Sequence, residues 1–525
     1  MRINVLLVQA LNLIFWMLTV LLLLCIVVVP FLAIDENFNI APTLSLATAL
    51  ATWDASLLSA LWNSVVLSVI ASLFAILCGS IVSNWTTRKP VWLLCLFLAV
   101  YSINPVARAL SYFDLFQIYT PLYDWSALVF GTRFSTTILL PALILGIHYF
   151  PIYLMRSVFV LPHGERARDL PPLLRTMFED IPVWVRGFPI SFALFFLLTF
   201  FDYWVIQVIS GNTVLYWTPL FVQKALQARA VSQAALMIGI GLLVTFCSYL
   251  VAWVLSSTLR AIWRTIRPLW FASLPQSSAL SRQIRRLLAA LVLLFLCWPL
   301  LGTLLKLALY LFDGTGILLM GDTGRAILVT LLLGCIVGAI SATLGLILSA
   351  MFRQNMQRFR WWLPSLYVLA LVPEAAFVLF SVLVTGSGVL RGNLLWLGFL
   401  MASFSIPISF FLWESLWGER EVRKLWLLGT AMQQRMTEGA QLALREWKTQ
   451  WGIVFIVIFW LTVDNVFITD FAGGPKWKPL SVVIFNATKR GFSREEFFSS
   501  VTGSIVVLGC IVAAVLLSRR RRNTE

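Results

Sequence analysis

The sequence is poor in charge, in histidine and in paired cysteine. Only 12% of its 525 residues are Asp, Glu, Lys or Arg and two are His, whereas 60% are hydrophobic. Soluble domains carry about 25% charged residues, so a chain this depleted cannot cover a globule with solvated side chains. Its mean hydropathy of +0.90 points to a lipid bilayer as the solvent. The seven cysteines (Cys25, Cys78, Cys95, Cys247, Cys297, Cys335 and Cys510) lie in apolar stretches without a CxxC pair, which argues against a disulfide framework or a zinc site. No G-x-x-x-x-G-K-[ST] sequence occurs, so the chain lacks a phosphate-cradling loop and is not expected to hydrolyse ATP itself. No His, Cys or carboxylate cluster has metal-ligand spacing and no nucleophile elbow is present, which leaves an enzyme reading without support. No bound cofactor is expected.

What the chain does have is long apolar runs. A helix crossing the hydrocarbon needs roughly 20 apolar residues. Runs of that kind lie near Val5 to Leu32, Leu61 to Val82, Val91 to Ala109, Ser135 to Met155, Pro182 to Val208 and Val231 to Ser257. A second set lies near Leu287 to Phe312, Ala326 to Met351, Trp361 to Val384, Leu394 to Trp417, Trp451 to Phe471 and Val501 to Ser518. The first run is too long for a signal-peptide core and is read as a retained helix. The expected fold is therefore an all-α polytopic membrane protein of about 12 transmembrane helices.

The chain carries 39 Lys and Arg against 23 Asp and Glu, and the excess sits at one set of helix ends, which argues for membrane orientation and against nucleic-acid binding. With the N-terminus inside, 27 basic residues fall on the cytoplasmic side and 11 on the other, Arg108 among the latter. Both termini are thus expected in the cytoplasm, with the chain in a bacterial inner membrane. The tryptophans near helix ends, such as Trp85, Trp361 and Trp362, read as interfacial anchors, and Arg519 to Arg522 as a cytoplasmic stop.

The two sets of runs repeat. Aligning Asp202 with Asp464 superposes Gly211 on Gly473, and each half has its longest cytoplasmic segment between its fourth and fifth helices. Two parallel six-helix repeats follow, residues 1–258 and 287–525, joined by a cytoplasmic linker over 259–286 that holds Pro268, Pro275, several Ser and several Arg.

The cytoplasmic segments separate two architectures. Major-facilitator transporters place their long loop between the halves, and Gly79 to Lys89 is only a weak echo of their motif. ABC importer permeases carry a helical ATPase-docking segment between two late helices of each half, written E-A-A-x3-G-x9-I-x-L-P. ERARDL, Glu165 to Leu170, followed by Ile181 and Pro182, resembles that pattern, with Pro171 where the family has glycine and a spacing about two residues shorter. LLGTAMQQ, Leu427 to Gln434, is similar to the stretch around the glycine, with Gly429 in its place but no acidic-Ala-Ala before it; a competing register uses Glu438 to Ala440. LTVDNVFITDFAGG (Leu461 to Gly474), VPEAAFVLFSVLV (Val372 to Val384) and NPVARALSYF (Asn104 to Phe113) resemble elements of the spermidine/putrescine, iron(III), thiamine and sulfate permeases.

The resemblance implies a fused ABC importer permease. An ABC ATPase dimer would use ATP on the cytoplasmic side, and a periplasmic substrate-binding protein would deliver cargo. Its coupling residues would be Glu165, Arg168, Asp169, Leu170, Leu428, Gly429 and Gln433. Leu425, Leu428, Met432 and Met436 also approximate helical spacing, as an amphipathic docking helix would. The rival reading is an ion-coupled secondary transporter, which needs no ATPase.

Ionisable groups at membrane depth are costly and usually face a bundle interior, a partner or a wet path. Glu374, beside Pro373, together with Asp202, Asp464 and Asn465, are the candidates for the translocation path. The alternative for the aspartates is that they cap helix ends. A path lined by carboxylates suits a cation such as a polyamine, thiamine or an iron chelate. His148, a lone imidazole, reads as an interior hydrogen-bonder without a functional role.

Overall fold

The computed structural model describes residues 2–34, 40–44, 55–86, 100, 108–109, 111–112, 138–160, 180–203, 205–207, 214–225, 231–271, 279–312, 323–354, 369, 372–385, 392–416, 448–474 and 477–488. In chain order these form α1 (Arg2–Val27), a short antiparallel ribbon of β1 (Leu32–Ile34) and β2 (Ile40–Leu44), α2 (Ala55–Thr86), α3 (Leu139–Val160), α4 (Asp180–Phe200) and α5 (Trp217–Ala225). They continue with α6 (Val231–Phe271), α7 (Ala279–Phe312), α8 (Thr323–Gln354), α9 (Glu374–Thr385), α10 (Leu394–Leu416), α11 (Lys448–Asp464), α12 (Val466–Gly473) and α13 (Leu480–Thr488).

The chain is a multi-pass, essentially all-α membrane protein. Hydrocarbon offers backbone groups no hydrogen bonds, so a spanning segment must satisfy its own as a helix. Among the described residues, five helical stretches are long and apolar enough to cross: Ala55–Gly79, Val231–Leu259, Leu287–Leu305, Thr323–Ser349 and Leu394–Trp413. A sixth is made by α11 and α12 together, bent by 60°. The sequence reads this last region as one span, Trp451 to Phe471. The structure breaks it, because Asn465 leaves the helix and its side-chain oxygen accepts from the Ile468 amide at 2.8 Å, starting a new helix. The span expected near Val501 to Ser518 lies outside the described residues, as does most of that near Val91 to Ala109.

The segment read as a linker, 259–286, is largely helical. α6 continues unbroken to Phe271 and α7 already starts at Ala279, leaving only 272–278 outside the described residues. Pro268 does not end α6.

Apolar side chains divide between two environments. Leu243, Phe246, Val251 and Val254 of α6 and Leu288, Leu291 and Leu294 of α7 are exposed, as lipid-facing residues must be, whereas Ala234, Ala235, Met237 and Ile238 of α6 are buried against neighbours. α2 packs on α3 and α4, and α8 packs in the same way on α10 and α11. Close approach in these pairs uses small residues, as helix pairs in lipid generally do. A Cβ placed on Gly345 of α8 would collide with the side chain and backbone of Ser409 in α10, and one on Gly334 would meet the Phe459 ring of α11. Hydroxyls along the spans turn inward onto their own helices, as Thr245 does onto the Gly241 carbonyl at 2.8 Å and Thr330 onto that of Ala326 at 2.7 Å. Trp217 and Trp413 are fully buried with their indole N–H groups donating to the carbonyls of Met237 at 3.0 Å and Ala342 at 2.9 Å.

Replacing Gly345 by Val is expected to destabilise the protein by about 1–3 kcal/mol through overpacking of α8 on α10. Gly398→Ala in α10, where no atom lies within 4 Å of the new methyl, should hold stability or raise it by up to about 1 kcal/mol. Thermal unfolding of the two variants in detergent measures the difference.

Candidate functional site

Three of the four path candidates lie at helix breaks, and the breaks are built alike. α4 ends at Phe200 and the backbone leaves the helix at Asp202, whose Oδ1 accepts from the Val205 amide at 3.0 Å. α11 ends at Asp464, and Asn465 accepts from the Ile468 amide with the same three-residue reach. One turn before each break, Thr199 and Thr462 donate to carbonyls four residues back, of Phe195 at 2.7 Å and of Ile458 at 2.8 Å. The amides of Asp202 and Asn465 then bond the carbonyls of Thr199 and Thr462, both at 3.4 Å. Beyond the breaks, the first amide of α5, Trp217, donates to Ser64 Oγ of α2 at 2.8 Å, and the first amide of α13, Leu480, donates to Thr330 Oγ1 of α8 at 2.8 Å.

By these bonds Asp202 corresponds to Asn465, one residue on from the Asp464 with which sequence alignment pairs it. Carboxylate matched carboxylate in the alignment, whereas the geometry follows the capping oxygen.

Asp202 is only 5% exposed; its carboxyl group accepts from the Val205 and Ile206 amides and from the Tyr149 hydroxyl of α3, which donates to Oδ2 at 2.9 Å. Capping is therefore part of its role. Glu374 is the first residue of α9, directly after Pro373, and lies within electrostatic reach of Asp202. Tyr149 in turn lies within reach of Asp202, Glu374 and Asp464. The helix that begins at Glu374 packs on α1, α5 and α6 from the first part of the chain and on α10 and α12 from the second.

Asp464 forms an ion pair with Arg108, 356 residues earlier, the one salt bridge among the described residues. Arg108 is 4% exposed. It therefore belongs to the interior, which corrects its assignment to the outer segments; its charge looks inward because its partner is supplied from a distant part of the chain. With it removed, the outer side holds still fewer basic residues. Oδ1 of Asp464 and Nδ2 of Asn465 have no hydrogen-bond partner among the described residues. Beside the pair is a small cavity lined by Arg108, Tyr112, Ile144, Ile147, His148 and Leu296. His148 thus stands next to the cluster, edge-on to Tyr149 with ring centroids 4.6 Å apart and within electrostatic reach of Arg108. Tyr203 and Phe467, each next in sequence or nearly so to a break, stack at 5.0 Å and pack with Phe485 and Phe221.

The structure thus brings Asp202 and Tyr149, and Asp464 and Arg108, into a largely buried polar layer, with Glu374 within electrostatic reach of it. Arg108 and Tyr149 were missed as site residues, although an arginine at the end of an apolar run is itself a signal of an intramembrane partner. Glu165, Arg168, Asp169, Leu170, Leu428, Gly429 and Gln433 all lie outside the described residues. Among the described residues no group of three His, Cys, Asp or Glu could hold a metal ion.

No family model, curated protein or solved structure matches the chain.

Truncating Asp202 to Ala removes a helix cap and the acceptor for Tyr149, and is expected to lower stability by about 1–2 kcal/mol. Asp202→Asn keeps an acceptor oxygen and should recover most of that loss. A double-mutant cycle with Tyr149→Phe, read by unfolding in detergent, should return a coupling of about 1 kcal/mol.

Proposed function

We propose that the chain is the fused permease subunit of a binding-protein-dependent ABC importer in a bacterial inner membrane. Two six-helix halves, 1–258 and 287–525, enclose a path for a small cationic solute. The observation that carries this reading is the buried polar layer, in which each half supplies a carboxylate-bearing helix break: Asp202 at the end of α4 and Asp464–Asn465 at the end of α11. The matched hydrogen bonds, 263 residues apart for Thr199 and Thr462, Asp202 and Asn465, and Trp217 and Leu480, support the two-fold plan. So does the shared packing of α2 on α3 and α4 and of α8 on α10 and α11.

Charged groups in a membrane interior are retained where they line or gate a route for solute. The carboxyl oxygens of Glu374 and Asp202 on that route would suit a cationic solute. Energy enters from outside the polypeptide, since the sequence holds no nucleotide-binding loop. Closure of an ATPase dimer on the segments around Glu165 to Leu170 and Leu427 to Gln434 would switch the halves between inward- and outward-facing states.

Deleting Glu165 to Leu170 or Leu427 to Gln434 is expected to abolish stimulation of the partner ATPase in the reconstituted complex. Undiminished stimulation would overturn the docking assignment, and solute accumulation by the chain alone, driven by an ion gradient, would favour a secondary transporter.

A further inference from the structure

The arginines between the spans of α6 and α7 have no part in the polar layer. Residues 260–286 hold six of them, Arg260, Arg264, Arg267, Arg282, Arg285 and Arg286, and no acidic residue occurs anywhere from 203 to 312. Neighbours along the chain therefore supply no counter-charge. Three of the six follow directly on the apolar stretch Val231–Leu259 and lie within α6.

Helical register shows which face of α6 these three continue. Phe246, Leu250 and Trp253 are 57%, 42% and 51% exposed and belong to its lipid-facing side. Positions 246, 253, 260 and 267 recur every seven residues and 264 lies four beyond 260, so all five fall within about 60° of one another around the axis. Thr245, Ala252 and Ser256 are buried, and their register runs on to Trp263 and Trp270 instead. The arginines of α7 continue the opposite kind of face. Arg282 and Arg285 stand seven and four residues before Ala289, and Arg286 seven before Leu293, and both of those residues are buried.

We propose that Arg260, Arg264 and Arg267 form a binding stripe for an anionic phospholipid, whose acyl chains lie along the exposed side of α6 and whose phosphate meets the guanidinium groups. Half the hydrocarbon is about 15 Å deep, the rise of about ten helical residues, so a chain reaching up to Arg260 runs beside Trp253 and Leu250. From Arg260 to Arg267 the helix rises about 10 Å more, through the depth at which headgroups lie. Guanidinium forks grip phosphate oxygens with paired bonds. A headgroup that also carries an ammonium, such as choline, brings a like charge against them, so the stripe selects lipids of net negative charge. The occupant is a lipid and not a soluble anion because the basic stripe prolongs, on the same face, an apolar one that acyl chains cover. Nothing in this depends on what the protein transports.

Each arginine near an anionic headgroup strengthens binding about fivefold. The test uses the full chain, stripped of native lipid in dodecylmaltoside and titrated with dioleoylphosphatidylglycerol or dioleoylphosphatidylcholine, with bound lipid counted by native mass spectrometry. Wild-type protein should bind phosphatidylglycerol about tenfold or more tightly than phosphatidylcholine at low salt. The triple variant Arg260→Gln, Arg264→Gln, Arg267→Gln should lose that preference. Arg282→Gln, Arg285→Gln, Arg286→Gln removes the same charge from the same side of the membrane and should keep it. Equal loss in both triple variants, which bulk charge alone would give, overturns the proposal. So does an unchanged preference in the α6 variant, or displacement of the lipid by inorganic phosphate at matched ionic strength. If the α6 triple variant does not fold, Arg264→Gln decides alone: a loss of about fivefold is expected, and no loss overturns the stripe.

Discussion

A charge buried inside a membrane protein must have a partner, and the arrangement of the polar layer follows from that constraint. Removing one ion from water costs several kcal/mol even after relaxation, and a nearby opposite charge offsets this only with good geometry. Arg108 meets the requirement by reaching Asp464 across 356 residues of sequence. Asp202 meets it differently, by accepting from two backbone amides and a tyrosine hydroxyl. Glu374 sits at the first position of a helix, where the positive end of the helix dipole favours a carboxylate. Three acidic groups are thus held by three distinct devices, and only one of them uses a fixed cation.

The helix breaks give those devices their positions. If α4 and α11 ran on unbroken, Asp202 and Asp464 would point wherever the helical period sent them. Ending the helix frees a backbone amide three residues on, and Asp202 and Asn465 each take it up. The bonds from Trp217 to Ser64 and from Leu480 to Thr330 then fix where the chain goes next, by anchoring the short helices α5 and α13 to α2 and α8. Side-chain hydroxyls on long helices thereby set the geometry of the charged layer from outside it.

Much of this was legible in the residues. The spans starting near Val231 and Leu394 and that ending at Phe312 were readable because apolar length alone defines a membrane helix. Asp202, Asp464 and Glu374 stood out because carboxylates are rare in such runs. The break at Asn465 was not seen, since a run of apolar residues on both sides hides a cap whose signal is one Asn. Arg108 was misplaced for a related reason: from sequence, an arginine near a helix end reads the same whether it faces water or a partner hundreds of residues away. Pro268 reads as a linker residue, but α6 passes through it.

On the two-half reading, the length of α6 has a consequence for how such halves could diverge. At 41 residues it rises about 60 Å, roughly twice the hydrocarbon thickness, and only positions 272–278 separate it from α7. On the two-half reading, that short tether holds the moieties in strict one-to-one partnership. Two copies of a single half would carry identical residues and so present the same charge twice. A tandem polypeptide is released from that symmetry and can keep an arginine on one flank while its counterpart position drifts.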